Sequence, residues 1–347
     1  NLQKKLQKKS SEVLAELVLH MSHRLKLYCL IGLNSEVIIN LNNIADMSLA
    51  NNVDNNFSLY NGDSCEIIKS IPDNSIHYTI FSPPFASLYT YSNSDRDMGN
   101  CKDDDEFYQH FSYLAKELYR VTMDGRLLSF HCMDLPMMKS RDGVIGLKDF
   151  PAMVRQIFED AGFVYHSKVT IWKNPVTEMQ RTKALGLLWK QIRKDSSMNR
   201  QGIPDYIITM RKPTDNPEKI THTEESFPCD VWRKYASPVW MDINQSNTLQ
   251  KKSARAEKDE KHICPLQLDV IQRCIELWSN PGDIVFDPFA GIGSVPYMAL
   301  KLGRRGLGIE LKESYYNQAV LNCQNAEQDM ANDFIVGQQL CLDGFSA

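Results

Sequence analysis

Residues 281–310 constrain the fold more than any other stretch of this 347-residue chain. Pro281-Gly282-Asp283 is a turn, Ile284-Val285-Phe286-Asp287 an apolar run closed by an acid, and Pro288-Phe289-Ala290-Gly291-Ile292-Gly293-Ser294 a glycine-rich turn. Residues 295–302 then read as a helix, and Gly306-Leu307-Gly308-Ile309-Glu310 as a second strand. Strand, tight turn, helix, strand is the opening of a βαβ unit. Such a unit makes its two strands parallel and lays the helix across the sheet.

The same residues imply a ligand. Gly291 and Gly293 allow close approach to the backbone at a helix N-terminus. Glu310 falls about 20 residues past the turn, where an acid can accept from both hydroxyls of a ribose. The third glycine of the dinucleotide fingerprint is missing, and Asp287 would repel a pyrophosphate. An anion there suits a cationic ligand that contains adenosine. S-adenosylmethionine, with its sulfonium and ammonium, meets that description. The plainer reading of the turn is a structural strand–helix connection.

The rest of the chain carries the same alternation. Residues 57–60 and Ile76–Phe81 read as strands, with a short helix at 64–71 between them. Phe107, Phe111, Leu114 and Leu118 recur at helical spacing over 106–120. A turn at Met123-Asp124-Gly125 precedes a strand at 126–130; a helix at 150–161 stops at Gly162; strands follow at 164–172 and 206–210. The expected fold is α/β, a mostly parallel sheet with helices on both faces. Asp103-Asp104-Asp105 is an acidic helix start. The first residues offer a helix at 12–27 and an Asn-rich linker at 51–56, with no chemistry attached.

Ser82-Pro83-Pro84-Phe85 closes the strand Ile76–Phe81. Two successive prolines remove two backbone donors, so the segment accepts hydrogen bonds and donates few. Ser82 adds a hydroxyl and Phe85 an aromatic face. Acceptors beside a flat apolar plate suit an NH2 on a planar ring. A proline-rich strand exit with a core phenylalanine is the plainer alternative.

Composition excludes several classes. No apolar run reaches about 18 residues, so no membrane span is expected. Nine cysteines without a CxxC pair read as reduced thiols in a cytoplasmic protein, with Cys65 and Cys132 as core thiols. His131, Cys132 and Asp134 are too few to hold a metal, and none is expected. The net charge of -4 argues against a general nucleic-acid binder but leaves room for a local basic groove. The chain starts at Asn1 rather than Met, as a trimmed or partial product would.

With both motifs in view, the chain resembles the amino-methyltransferases of DNA, which modify N6 of adenine or N4 of cytosine. Asp287-Pro-Phe-Ala-Gly-Ile-Gly-Ser294 is similar to their cofactor motif and Ser82-Pro-Pro-Phe85 to their catalytic motif. The catalytic motif comes first, the order of the family's β group. Asn61-Gly-Asp63 resembles the acidic element near the cofactor adenine. His262-Ile-Cys-Pro265 and the helix after it resemble the element that packs on the methionine end. Residues 171–173 and 206–212 resemble strands bordering the recognition region. The likeness covers roughly residues 57–328.

The resemblance implies a Rossmann-like methyltransferase with S-adenosyl-L-methionine as cofactor and double-stranded DNA as partner. The target base would be flipped out and stacked on Phe85, with Ser82 and the Pro83 and Pro84 backbone framing its amine. Asp63, Pro265, Asp287, Pro288, Phe289, Gly291, Gly293, Ser294 and Glu310 would hold the cofactor. Ser82 leans the base toward cytosine N4, though the same acceptors serve adenine N6. Residues 177–200 carry Arg181, Lys183, Lys190, Arg193, Lys194 and Arg200, with Trp189 and Met198 interleaved. With Lys251, Lys252 and Arg255 they form the expected DNA-contacting surface; a solvated basic helix is the plainer reading. Tyr89, Tyr91 and Arg96 follow the catalytic motif, as a loop closing over the base or as surface residues.

The implied organisation is an accessory or linker segment at 1–56, the catalytic half at 57–176 and a target-recognition region at 177–256, with 203–212 a core strand. The cofactor half spans 257–330 and a tail 331–347. A restriction nuclease partner, or none, is compatible with this reading. Methylation of RNA or of a protein amide, or a silent DNA-binding module, are the competing functions.

Overall fold

The computed structural model describes residues 51–53, 56–84, 101, 103–137, 139–182, 185–249 and 265–343. The expected helix at 12–27, Phe85 and the loop bearing Tyr89, Tyr91 and Arg96 lie outside these residues, as do Lys183, Lys251, Lys252 and Arg255.

The strands among the described residues are β1 (Asn51–Val53), β2 (Phe57–Asn61), β3 (Ile76–Phe81), β4 (Thr122–Cys132), β5 (Leu135–Met137), β6 (Gly146–Lys148), β7 (Val164–Ile171), β8 (Asp205–Arg211), β9 (Val239–Trp240), β10 (Ile284–Asp287) and β11 (Arg305–Glu310). The principal helices are α1 (Ser64–Ile67), α2 (Asp104–Val121), α3 (Phe150–Asp160), α4 (Pro175–Thr182), α5 (Cys229–Tyr235), α6 (Leu268–Trp278), α7 (Ser294–Lys301) and α8 (Glu313–Asp343). Nine strands form one sheet in the order β1-β2-β11-β10-β3-β4-β8-β7-β9, and β5 pairs with β6 apart from it. From β2 to β4 every pairing is parallel. β8 and β7 then run antiparallel as a hairpin.

Both faces are covered, as an apolar run such as Ile76–Phe81 requires. Every residue of β3 is buried, and alternation sends its side chains to opposite layers. Tyr78 and Ile80 face the cluster built by Val270, Ile271 and Ile275 of α6 and Val295 and Met298 of α7. Phe81 faces the other way, into an aromatic layer with Phe111 of α2, Phe130 of β4 and Phe158 of α3. Phe107 and Phe150 extend that layer between α2 and α3. β10 and β11, the last strands in the chain, enter the sheet between β2 and β3, which puts β10 directly beside β3.

Three elements differ from the expectation. Asn51–Val53, read as linker, is an edge strand antiparallel to β2. Its pairing is made by backbone, so the Asn-rich side chains carried no sign of it. The turn at Met123-Asp124-Gly125 lies inside the long strand β4, where Gly125 adopts φ +71° and the β3–β4 register shifts. Val239–Trp240, within the expected recognition region, joins the sheet beside β7 and buries Trp240 in the core. Among the described residues no helix is long and apolar enough to cross a membrane.

Candidate active site at the strand ends

The carboxyl ends of β2, β11, β10, β3 and β4 lie along one edge of the sheet. Each ends in a polar residue: Asn61, Glu310, Asp287, Ser82 just past β3, and His131 near the end of β4. In open α/β sheets ligands bind outside these ends.

The glycine turn is closed from two sides. Glu310 accepts from the Gly291 N–H (2.8 Å) and the Lys312 N–H (2.8 Å). Gly293 caps α7 in a left-handed conformation at φ +81°, and a Cβ there would lie 2.9 Å from that of Ala319. At Gly291, also left-handed at φ +55°, an added Cβ would have no heavy atom of the described residues nearer than the Phe289 carbonyl at 4.0 Å. Gly293 thus answers to helix packing, whereas Gly291 leaves its backbone open to a ligand.

Asp287 is buried and accepts from the Phe289 N–H at 2.9 Å. Burial raises its pKa to about 8, with Glu310 adding to the rise and the Phe289 N–H opposing it. A buried carboxyl poised near neutrality favours a cationic ligand. Together with the open backbone at Gly291 and the acid at Glu310, the donor and acceptor set fits S-adenosylmethionine. Asp63 caps α1 through the Cys65 N–H (2.9 Å), and Gly62 donates to the Glu310 carbonyl at 3.0 Å. Asn61 donates to that carbonyl as well, at 2.8 Å. The Asn61-Gly62-Asp63 turn and Glu310 are therefore one assembly. Ser64 donates to the Pro288 carbonyl and ties this assembly to the turn after β10. Pro288 is buried and Phe289 half-buried, its ring 5.9 Å from Phe81 and 6.3 Å from Phe111. Phe289 anchors the glycine turn on the aromatic layer. Ser294 is buried at the start of α7, and Pro265 is half-buried ahead of α6.

Beside this, Ser82 stands half-buried, with Pro83 and Pro84 buried after it. Ser82 Oγ lies 3.2 Å from His131 Nδ1. His131 Nε2 faces Asp205 Oδ2 at 3.4 Å, and the other oxygen of Asp205 accepts from Lys173 Nζ at 2.7 Å. Burial disfavours the Asp205 charge, yet His131 and Lys173 outweigh it and hold its pKa down to about 2. Four segments supply this chain of groups: the ends of β3 and β4, the start of β8 and the residue pair after β7. From the sequence His131 had only a weak metal reading, and Asp205 and Lys173 none. Their one legible sign was a polar residue placed at each strand boundary.

The basic segment leaves and re-enters the sheet at this edge. Ile171 pairs with Asp205, so residues 172–204 are a single excursion whose two roots flank the Ser82 cluster. Lys190, Arg193 and Lys194 are exposed on it, as are Trp189 and Met198. Arg200 is turned inward: it donates to the Gln201 carbonyl at 2.9 Å and lies 3.8 Å from Glu178. Arg181 lies in α4.

A family model described as DNA methylase, N6_N4_Mtase, matches residues 76–321. The chain is 23% identical over 278 residues to the type II methyltransferase M.BglII of Bacillus subtilis, covering 80% of this chain and 71% of that protein. The structure of TTHA0409 from Thermus thermophilus, complexed with S-adenosyl-L-methionine, superposes with a TM-score of 0.59 at 22% identity over 77% of this chain and 93% of the other. The cytosine-N4-specific PvuII DNA methyltransferase superposes with a TM-score of 0.55 at 18% identity, covering 77% of this chain and 86% of its own. At such identities the two structures speak for the fold.

Proposed function

This chain belongs to the N6/N4 DNA methylase family, and from that membership we propose that it transfers the methyl of S-adenosylmethionine to an exocyclic amino group of a base in double-stranded DNA. The observation that supports this most is the adjacency of two distant motifs. β10 and β3 are parallel neighbours, so the Asp287 turn and Ser82 open onto one edge. When bound, S-adenosylmethionine supplies an electrophilic methyl on a sulfonium.

The chain's own residues do the rest. Asp287 offers an anion to the donor's positive charge, Glu310 and Asp63 offer carboxylates to its adenosine, and Gly291 lets it lie against the backbone. Ser82 accepts a hydrogen bond from the amine, which aims the nitrogen lone pair toward the methyl. Pro83 and Pro84 withhold the N–H donors that would compete for that lone pair. The amine of a paired base is out of reach, so the base leaves the stack at a cost of a few kcal/mol. Phe85 stacks on it, an interaction worth about 1–3 kcal/mol. Positioning and preorganised acceptors account for most of the rate.

Serine at position 82 favours N4 of cytosine over N6 of adenine. The type II designation of the Bacillus subtilis relative extends the reading to protection of cytoplasmic DNA from a nuclease of the same specificity. The test is transfer of labelled methyl to duplex DNA, with RNA as the comparison, followed by nucleoside analysis. N4-methylcytosine in DNA is the expected product, and it is lost in Ser82→Ala. Label on RNA alone, or full transfer by Phe85→Ala, would refute the proposal.

A further inference from the structure

Behind Ser82 the structure places a histidine and a buried acid that methyl transfer by a preorganised acceptor does not by itself require. We propose that His131 is a positioning residue that orients the Ser82 hydroxyl and takes up its proton as the amine gives one up, with Asp205 and Lys173 holding the imidazole in place. The inference deepens the methyl-transfer reading above and rests on it.

The carboxylate facing His131 Nε2 assigns the direction of the Ser82–His131 bond. A hydroxyl has one donor and two acceptor sites. With its hydrogen given to His131 Nδ1 at 3.2 Å, both Ser82 lone pairs are left for the amine. An Nδ1 that accepts leaves the ring proton on Nε2, and Nε2 is the atom that faces Asp205. Among the described residues that nitrogen is buried with no close hydrogen bond, so the Asp205 carboxylate at 3.4 Å is its electrostatic partner. Catalytic contacts of this kind are often long before substrate arrives. The order serine, histidine, aspartate is that of the hydrolytic triads. Here the ring is reversed, with Nδ1 toward serine, and serine is no nucleophile.

The amine nitrogen forms a bond to the methyl carbon while the carbon–sulfur bond breaks and leaves its electron pair on sulfur. The nitrogen, now cationic, passes one proton to Ser82 Oγ as the Ser82 hydroxyl proton moves to His131 Nδ1. The products are a neutral methylamine, a thioether and an imidazolium beside Asp205, which returns its proton to solvent.

Among the described residues, the groups facing this imidazole are few. Asp205 comes from β8, and Lys173, just past the end of β7, binds the far side of Asp205. Cys132 is the next residue along β4 and is buried. Asp134 and Tyr206, 3.5 Å apart, form a separate pair beyond it, and Lys168 stacks on the Tyr206 ring. Asp205 is the anion that faces the imidazole, at 3.4 Å.

The experiment uses the full chain with S-adenosylmethionine and duplex DNA. Single-turnover transfer is followed over the range from mildly acidic to mildly basic pH for the wild type, His131→Asn and Asp205→Asn, beside NMR titration of ring-labelled histidine. The wild-type rate is expected to rise through one ionisation that coincides with the His131 resonance. His131→Asn should fall by about 10²-fold and lose that ionisation, with cofactor affinity and melting temperature retained. Asp205→Asn should slow transfer while cofactor affinity is retained. Added imidazole should restore part of the rate to His131→Gly. A His131→Asn protein with the wild-type rate and pH profile would overturn the relay, as would an Asp205→Asn protein that transfers at the wild-type rate. A wild type that methylates no DNA would instead overturn the functional reading on which the relay rests.

Discussion

At the scale of single residues, the site depends on groups whose surroundings oppose their ordinary behaviour. Asp287 is the clearest. Its pKa is raised to about 8, mainly by burial, so below that pH it is protonated in the unliganded protein. A cation favours the charged form, so binding of S-adenosylmethionine should release a proton. Its affinity should strengthen by roughly tenfold as pH rises from mildly acidic to about 8, as measured by calorimetry in buffers of different ionisation enthalpy. Asp287→Asn should bind more weakly and without that dependence. The sign for stability is opposite. A carboxyl raised in the folded state stabilises below its unfolded pKa, and that contribution is lost as pH rises toward about 8. The unliganded protein should therefore lose melting temperature from this group between mildly acidic pH and about pH 8. Gly293 shows the steric counterpart. With φ +81° and Ala319 2.9 Å from any added Cβ, Gly293→Ala should cost on the order of 1–3 kcal/mol, read by urea unfolding. Both residues were legible in the sequence, Asp287 by its charge at a strand end and Gly293 by its place before a helix. That Gly293 meets α8 while Gly291, among the described residues, meets only the Phe289 carbonyl at 4.0 Å was not, since the difference lies in what the chain brings against each.

At the scale of elements, β10 is held at both ends. Its carboxyl end carries the glycine turn. At the other end Asp283 pairs with the buried Arg126 at 2.8 Å, and the Ile284 N–H donates to His77 Nδ1 at 3.2 Å. Arg126 begins the apolar part of β4 and His77 lies in β3, so three strands are pinned opposite the site. Removing one partner of a buried pair leaves the other charge uncompensated. Asp283→Ala should therefore destabilise by about 3–5 kcal/mol in chemical unfolding, more than Asp283→Asn. The start of α2 is pinned more lightly: Asp103 accepts from the Glu106 N–H at 2.9 Å, and Asp103→Ala should lose about 1 kcal/mol. Elements with a period or a punctuating glycine were readable beforehand, among them β3, α2, α3 and the β10–α7–β11 unit. Asn51–Val53 and Val239–Trp240 were not. Strands this short have too few side chains to show alternation, and they form because a neighbouring edge offers backbone partners.

At the scale of the molecule, the excursion between β7 and β8 connects the sheet to a candidate duplex-binding surface. Its roots stand beside Ser82, and its exposed cations among the described residues are Lys190, Arg193 and Lys194. If these take phosphates, their joint replacement by alanine should reduce the slope of log affinity against log salt by about 0.9 for each phosphate no longer neutralised. Cofactor binding should stay unchanged, and titration of a labelled duplex at several salt concentrations reads the slope. By itself the sequence determined the α/β class and located the glycine turn at 288–294 and the proline pair after Ser82. Those signals are local: apolar period, glycine placement, proline pairs and acids at strand ends act within a few residues of one another. The tertiary structure alone decided that β10 enters the sheet beside β3, bringing the two motifs to one edge. It also decided that His131, Asp205 and Lys173 converge behind Ser82. Strand order and side-chain convergence depend on residues far apart in the chain, and no local pattern encodes which distant strand will be the neighbour.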